Sequence, residues 1–405
     1  MNILYVTPYV PSQIRTRPYN LIRVLRELGH QITVLTAAST SALEQEQAKE
    51  LGKLGVRVEV FPVALARSLF NCLRALPTRE PLQAAFAYHP AMESRLRQLL
   101  CRDHFDVVHV EHLRAARLVS AAGGLPVVYD SVDCISLLFE QASRISPQWR
   151  TRLMAALDLR RTRSYEAWLL TRCDQVIVTS RRDKEALEDL ARRQLPTGAR
   201  VAHITVVTNG VDLEFFRPGD GESTAAAPTI VFTGKMSYHA NVAAALFFAK
   251  RVLPRILERA PRAVFQIVGK DPPEAVQRLG TNGHIEVTGY VDDLRPYLAH
   301  ATVAVCPALY AVGVQFKVLE AMAMGAPVVS TPACSGALAV EDGQQLLTAV
   351  GEEGVAAAVL RLIGDPALRH QLGAAGRRYV EAHHDWQIGG RQLLDVYEQA
   401  RLRHR

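Results

Sequence analysis

Short apolar runs and helical spacings alternate along almost the whole chain. NILYVT, residues 2 to 7, is one such run. After a loop, Leu21, Val24, Leu25 and Leu28 recur at helical spacing up to Gly29, and QITVLT opens the next run. VRVEVF, FDVVHV, LPVVYD, QVIVTS and HITVVT follow in the same rhythm. Strands that alternate with helices predict a parallel, doubly wound sheet. This first series closes near VTNGVD, so a first domain is expected over residues 1–212. Residues 213–228, LEFFRPGDGESTAAAP, are rich in Gly, Pro and small residues and predict a linker. TIVFTG, AVFQIVG, IEVTGY, ATVAVCP and APVVST then repeat the pattern over 229–385, and 386–405 reads as a last helix. The expected class is α/β, with two Rossmann-like doubly wound domains. Such domains take ligands at the carboxyl ends of their strands, which makes the cleft between two of them the default site.

Bulk properties agree with two domains. The chain has 405 residues, against a prior of roughly 150 per domain. It is 49% hydrophobic and 21% charged, an ordinary globular balance. No apolar run approaches the roughly 18 to 20 residues of a membrane span. MNILYVTPYVP lacks a charged leader region and reads as a first strand, which predicts a cytoplasmic location. Cys72, Cys101, Cys134, Cys173, Cys306 and Cys334 form no CxxC pair, so buried reduced thiols are expected rather than a zinc site. The net charge of +7 has a local source. Arg144, Arg150, Arg152, Arg160, Arg161, Arg163 and Arg172 face only Asp158 and Glu166 in that stretch, with Leu153, Leu157, Trp168 and Leu169 interleaved. A solvated helix face accounts for this; attraction to anionic lipid headgroups or an anionic substrate is the sharper reading. No aromatic-basic motif points to nucleic acid.

The densest chemistry lies in VGVQFKVLEAMAMGAPVVSTP, residues 312–332. Gly313 allows a tight turn, and a helix from about Gln315 to Met324 presents its positive end to that turn, a ready phosphate site. Lys317 adds a point charge in the first turn. Glu320, three residues on, shares its face and suits a pair of hydroxyls better than more phosphate. Phosphate and diol together suggest a nucleotide with its ribose. An exposed Lys317–Glu320 ion pair on a surface helix explains the same spacing.

KVLEAMAMGAPVVST closely resembles the signature helix and strand of the GT-B glycosyltransferases of family 4. The resemblance covers nearly the whole chain. MNILYVTPYVP…LIRVLRELGHQITVLT resembles the opening βαβ unit, VVTNGVDLEFFRP the interdomain crossover, and IVFTGKMSYHANVAAALFF the start of the donor domain. FQIVGKDP and VTGYVDDLRPYLAHATVAVCP resemble its next strands and turns, and HHDWQIGGRQLLDVYEQ its last helix, which returns toward the first domain. The resemblance implies two domains facing across a cleft. It implies that Glu320 holds the ribose, and that Lys317 and the helix start at Gly313, Val314 and Gln315 hold the diphosphate. Lys235, after TIVFTG, matches a further diphosphate cation, and Gly234 lets the backbone approach. The backbone at Gly289 and Val291 is implied to meet the base. Departures stand beside these matches. Val312 replaces a glutamate that many members carry eight residues before the one matching Glu320. PSQIRTRP replaces the usual Gly-Gly loop, and Asn241 follows Lys235 where many members have Lys-Gly. The branch linked to exopolysaccharide and envelope gene clusters is the nearer relative.

His109, Glu111 and His112 end one strand. In relatives a histidine about here points to the reacting sugar; His112 is displaced by one residue and Glu111 holds that place, so both are catalytic candidates with Lys235 and Lys317. Asp130 and Asp133 end the next strand, one suited to cap a helix and the other to touch the acceptor. Arg15 and Arg17 in the first loop are candidates for gripping an anionic acceptor such as a lipid diphosphate; solvated loop charges are the alternative.

The expected function is that of a retaining glycosyltransferase moving a sugar from a UDP- or GDP-sugar to a glycan or lipid-linked acceptor in polysaccharide or cell-envelope biosynthesis. The family implies front-face displacement. No cofactor and no metal are expected, since no Asp-x-Asp motif accompanies the donor site and the lysines serve the leaving group. Peripheral contact with the inner face of the membrane is expected through Arg144–Arg172. A nucleotide-sugar epimerase on the same fold and a catalytically silent partner subunit are the rivals. TPYVPSQI, which stands where GxGxxG would be, argues against a dinucleotide oxidoreductase.

Overall fold

The computed structural model describes residues 1–38, 41–146, 149–219 and 227–404. They divide into two units: 1–140, 156–209 and 386–405 in the first, 141–155 and 210–385 in the second. The first unit carries a seven-stranded parallel sheet of β1 (Asn2–Thr7), β2 (Gln31–Ala38), β3 (Arg57–Pro62), β4 (Val107–Glu111), β5 (Val127–Val132), β6 (Gln175–Val178) and β7 (His203–Val206), in the order β3-β2-β1-β4-β5-β6-β7. The second carries β8 (Thr229–Thr233), β9 (Val264–Val268), β10 (Ile285–Gly289), β11 (Val303–Cys306), β12 (Val328–Ser330) and the short β13 (Leu347–Thr348), in the order β10-β9-β8-β11-β12-β13. Every pairing in both sheets is parallel.

Helices cover both faces of such sheets, so their strands are apolar at successive positions rather than at alternate ones. All residues of β4 and β11 are buried, as are Ile3 to Thr7 of β1. Each sheet has its own apolar core. Leu4, Val6, Val108, Val110, Val176 and Val178 centre the first, and Ile230, Phe232, Phe265, Ile267, Val303 and Val329 the second.

In both sheets the strand order reverses once, between β1 and β4 in the first and between β8 and β11 in the second. At such a point the loops leave in opposite directions and open a crevice at the strand ends.

Two boundaries differ from the sequence reading. Leu213 and Phe216, placed in a linker, pack against the second core, because their apolar side chains find a place there. Residues 220–226 of that linker lie outside the described residues. Residues 141–155 group with the second unit although they precede β6 of the first. The Trp386–His404 helix groups with the first unit, where the Cγ1 of Val24 lies only 2.3 Å from where a Cβ on Gly390 would be. Of the six cysteines, Cys101 is exposed and Cys72 half-buried, so only the other four are buried thiols.

Candidate active site

The second unit builds a cation into its reversal point. The chain leaves β8 through Gly234, whose φ of +150° and close neighbours leave no room for a side chain: a Cβ would lie 2.8 Å from Asn241 Nδ2 and 3.3 Å from Lys317 Cε. Asn241 ties the two sides of the reversal together. Its Nδ2 donates to the Lys235 carbonyl at 2.9 Å, and its Oδ1 accepts from Lys317 Nζ at 3.0 Å. Lys317 also donates to Gln315 Oε1 at 3.3 Å, and Gln315 Nε2 donates to the Val312 carbonyl at 2.8 Å. The ammonium is therefore held by two neutral amide oxygens. Among the described residues it enters no ion pair, so its charge is aimed without being neutralised.

Lys317 lies in the first turn of the Phe316–Ala323 helix, which begins after Gly313 turns the loop at φ +63° and whose N-cap residue, Gln315, turns its side chain elsewhere. The exposed Lys317–Glu320 pair that would make this helix ordinary does not form. Glu320 is half-buried instead, and desolvation, opposed by the Lys317 charge, raises its pKa to about 7. A carboxyl held in that range accepts a hydroxyl donor readily. Val314 and Val312 are buried, so position 312 offers apolar contact.

The other donor candidates are placed less sharply. Lys235 is exposed after β8, with Asp271 Oδ2 4.0 Å from its ammonium. Gly289 turns the end of β10 at φ +69°; its carbonyl accepts from the Gly269 amide at 3.1 Å and from the Thr288 hydroxyl at 3.0 Å. Val291 packs half-buried against the second core. The sequence reading missed His239 and Tyr310. His239 Nδ1 lies 2.7 Å from Tyr310 Oη and the rings stack, joining the helix after β8 to the loop after β11. SYHAN after a strand end was the available signal.

The first unit carries a polar layer. Tyr5 and His109 are register partners, as are Glu111 and Asp130, so all four lie on one face of the sheet. Tyr5 and Tyr9 donate to Glu111 at 3.0 and 3.2 Å. His109 stacks on Tyr5 with centroids 4.0 Å apart, and its Nδ1 is 2.9 Å from Tyr397 Oη of the Trp386–His404 helix.

Two expectations are corrected here. Arg17 is not in the first loop. It sits in the Thr16–Glu27 helix, 3% exposed, with Nε donating to Asp130 Oδ2 at 2.9 Å and Nη1 to the Val207 carbonyl and Asn209 Oδ1 at 3.0 and 3.1 Å. Asp130 is wholly buried and spends Oδ1 on the Val132 amide at 2.9 Å. Both side chains are committed to each other and to backbone, because a charge taken out of water must be paired. Glu111 is likewise buried beneath the strand end rather than presented on it. Burial, then the Asp130 carboxylate, raises its pKa to about 8. The folded state thus binds a proton that the unfolded chain releases above about pH 4. This contribution to stability is complete below that pH and is lost as pH rises through 8. Against Glu111→Gln, which cannot ionise, wild-type stability is expected to fall by about 1 kcal/mol per pH unit over that window. Urea melts of both proteins at several pH values test this; parallel stability profiles would refute it.

His112 follows β4 with φ +66°, a strained position for a non-glycine residue, and Val132 at the end of β5 has φ +62°. Two such outliers at adjacent strand ends mark this edge as a site candidate. Arg114 N–H donates to His112 Nδ1 at 3.2 Å, so the neutral ring carries its proton on Nε2. Burial, with Arg114 second, lowers its pKa to about 3, which makes it a hydrogen-bond donor and not a base at neutral pH. Arg15 stacks over Tyr9 at 4.3 Å and pairs with Glu44 at 3.0 Å. Asp133 is half-buried, and burial followed by Asp183 raises its carboxyl to about 7.

Comparison with known proteins places the chain in a family. The pattern of Glycosyltransferase Family 4 matches residues 15–215, and that of Glycosyl transferases group 1 matches residues 227–365. The D-inositol 3-phosphate glycosyltransferase of Kribbella flavida is 30% identical, over 94% of this chain and 89% of its own. The phosphatidyl-myo-inositol mannosyltransferase of Mycolicibacterium smegmatis is 26% identical, over 98% of this chain and 94% of its own. In fold, the chain resembles the sucrose-phosphate synthase of Thermosynechococcus elongatus with a TM-score of 0.71 at 17% identity, covering 98% of this chain and 99% of that one. The chain belongs to the family 4, group 1 glycosyltransferases. It is a GT-B glycosyltransferase.

Proposed function

We propose that the protein transfers a sugar, with retention at the anomeric carbon, from a UDP- or GDP-sugar to a glycan or lipid-linked acceptor in polysaccharide or cell-envelope biosynthesis. One observation carries the donor half: the Lys317 ammonium, fixed by Asn241 and Gln315 without a carboxylate partner, beside a half-buried Glu320. Lys317 and Lys235 meet the negative charge that grows on the diphosphate as the glycosidic bond to it breaks. They take the place of a divalent cation in this reading. Glu320 accepts from the ribose hydroxyls. As the bond from the anomeric carbon to the diphosphate breaks, the acceptor hydroxyl oxygen bonds to that carbon on the face being vacated, and a diphosphate oxygen takes the hydroxyl proton. His112 donates through Nε2 to a sugar hydroxyl, and Asp133 and Arg15 are the acceptor contacts left after Arg17 and Asp130 are assigned to the interior. The mycobacterial relative named for phosphatidyl-myo-inositol supports a lipid acceptor.

No helix among the described residues is long and apolar enough to cross a membrane. In the reading proposed here the reaction takes place on the cytoplasmic side, with the arginines of 144–172 near anionic lipid. The Trp149–Leu169 helix makes up most of that stretch, which starts at the end of the Ile135–Ile145 helix, and residues 147–148 lie outside the described ones. Its two acids are buried, Glu166 on the amides of Ile135 and Ser136 and Asp158 on the amide of Leu82, so they do little to offset the arginines at the surface.

Nucleotide release from a panel of UDP- and GDP-sugars, with and without crude lipid acceptors, tests the proposal. Wild type is expected to turn over one donor and Glu320→Ala to lose that turnover. Release from no donor, with equally weak nucleotide binding by both proteins, would favour the silent subunit. A donor isomer formed without acceptor would favour the epimerase.

A further inference from the structure

The Leu65–Ala75 helix of the first unit is turned the wrong way for an ordinary surface helix. Only Ser68 and Ala75 are buried along it. Leu65, Leu69, Phe70 and Leu73, with Leu76 just beyond, are each more than half exposed. Leu65, Leu69, Leu73 and Leu76 follow the spacing i, i+4, i+8, i+11, which places them on one stripe, and Phe70 widens it. Water therefore meets the greasy stripe while the small side faces the protein. That side is fastened: Asn71 Nδ2 donates to the Tyr88 carbonyl at 2.9 Å, and Cys72 Sγ lies 3.5 Å from the Leu82 carbonyl. Scattered apolar side chains on a surface need no explanation, but a contiguous outward stripe does.

Along the helix and its flanks the charge has one sign up to Arg79, and Glu80, which follows, pairs with Arg117. From Val63 to Arg79 the chain contains Arg67, Arg74 and Arg79 and no acidic residue. Arg67 and Arg74 lie along one border of the stripe, and Arg74 sits over the Phe70 ring. The guanidinium of Arg161 donates to the Leu76 carbonyl, which brings the exposed Leu157 and Arg160 of the Trp149–Leu169 helix to the same end. An apolar stripe edged by arginines matches the boundary between acyl chains and anionic headgroups.

We infer that the Leu65–Ala75 helix lies in the surface of an anionic bilayer, with Leu65, Leu69, Phe70, Leu73 and Leu76 among the acyl chains and Arg67, Arg74 and Arg79 at the phosphates. Docking requires neither donor nor acceptor, so it stands or falls separately from the transferase reading. Co-sedimentation of the full chain with vesicles of phosphatidylcholine alone, or mixed with phosphatidylglycerol, is the test. Wild type is expected to sediment with the mixed vesicles and to be released by salt. Leu69→Glu with Leu73→Glu is expected to weaken binding by at least about tenfold, with circular dichroism and donor turnover unchanged, since both positions are exposed and remote in sequence from the donor residues. Arg67→Glu with Arg74→Glu is expected to lose the preference for the anionic vesicle. Wild type remaining in the supernatant with both vesicles would overturn the inference, as would equal binding by the leucine variant. A wild-type dimer in sedimentation velocity that the leucine variant abolishes, without vesicle binding, would assign the stripe to a second copy of the chain instead.

Discussion

Lys317→Ala is expected to lower kcat/KM for the nucleotide-sugar donor by about 10²- to 10³-fold, the usual effect of removing one fixed donor from a developing anion. The size follows from how the ammonium is held. Asn241 and Gln315 orient Lys317 through neutral oxygens, so the orienting groups do not cancel the charge they position. A lysine held by a carboxylate would have to exchange partners before it could serve a phosphate. Lys235→Ala should cost less, because that side chain is exposed and has Asp271 nearby. Lys317→Arg should not restore the rate, since a planar fork does not fit a site shaped around a point charge between two amides. Steady-state kinetics with the donor identified by the release panel, alongside thermal melts, separates a catalytic loss from a folding loss. Full turnover by Lys317→Ala would reduce this lysine to a strap for Asn241.

The largest effect on stability is expected at Arg17. Its side chain joins the Thr16–Glu27 helix to Asp130 at the end of β5 and to the backbone after β7, all out of contact with water. Burial opposes the Arg17 charge, and the adjacent Asp130 carboxylate outweighs that effect, holding the guanidinium pKa above its ordinary value. Arg17→Ala strands the carboxylate and should cost about 3 to 5 kcal/mol. Arg17→Met combined with Asp130→Leu should recover most of that loss, because it removes both charges and keeps the volume. Urea unfolding of Arg17→Met, Asp130→Leu and the double gives the coupling directly. A well-folded Arg17→Ala whose only defect is a raised KM for acceptor would return Arg17 to the binding role that its sequence position suggested.

The sequence and the structure part company at identifiable places. The two parallel sheets were legible because strands buried on both faces leave unbroken apolar runs, and each run read above as a strand is one. β13 was not, since two residues carry no periodicity. Lys317 and Glu320 could be read as a site from their spacing, but not the absence of a bond between them, which depends on Asn241 seventy-six residues earlier. Arg17 was misplaced for a related reason. PSQIRTRP reads as a loop up to its proline, yet the helix begins at Thr16, and Pro18 fits within its first turn. His109, Glu111 and Asp130 were visible as polar residues at strand ends. That all three are buried was not visible, since His109 meets Tyr397, more than 260 residues away in sequence and supplied by a helix beyond the second unit.

That last helix has a consequence for how the molecule comes into being. Trp386, Leu393, Val396 and Tyr397 are buried in the first unit, yet they are made after the entire second one. A ribosome that has finished Asn209 has delivered both parts of the first sheet, but not the residues that cover His109. At about 5 to 20 residues per second, the interval before they arrive is of the order of 10 to 40 s. Through that interval the nascent sheet exposes the apolar ground on which Trp386 will sit, while the strands of the second unit are still being made. The first part synthesised is the last to be completed, and the stretch of life in which this chain most needs protection from its neighbours falls before its final helix is made.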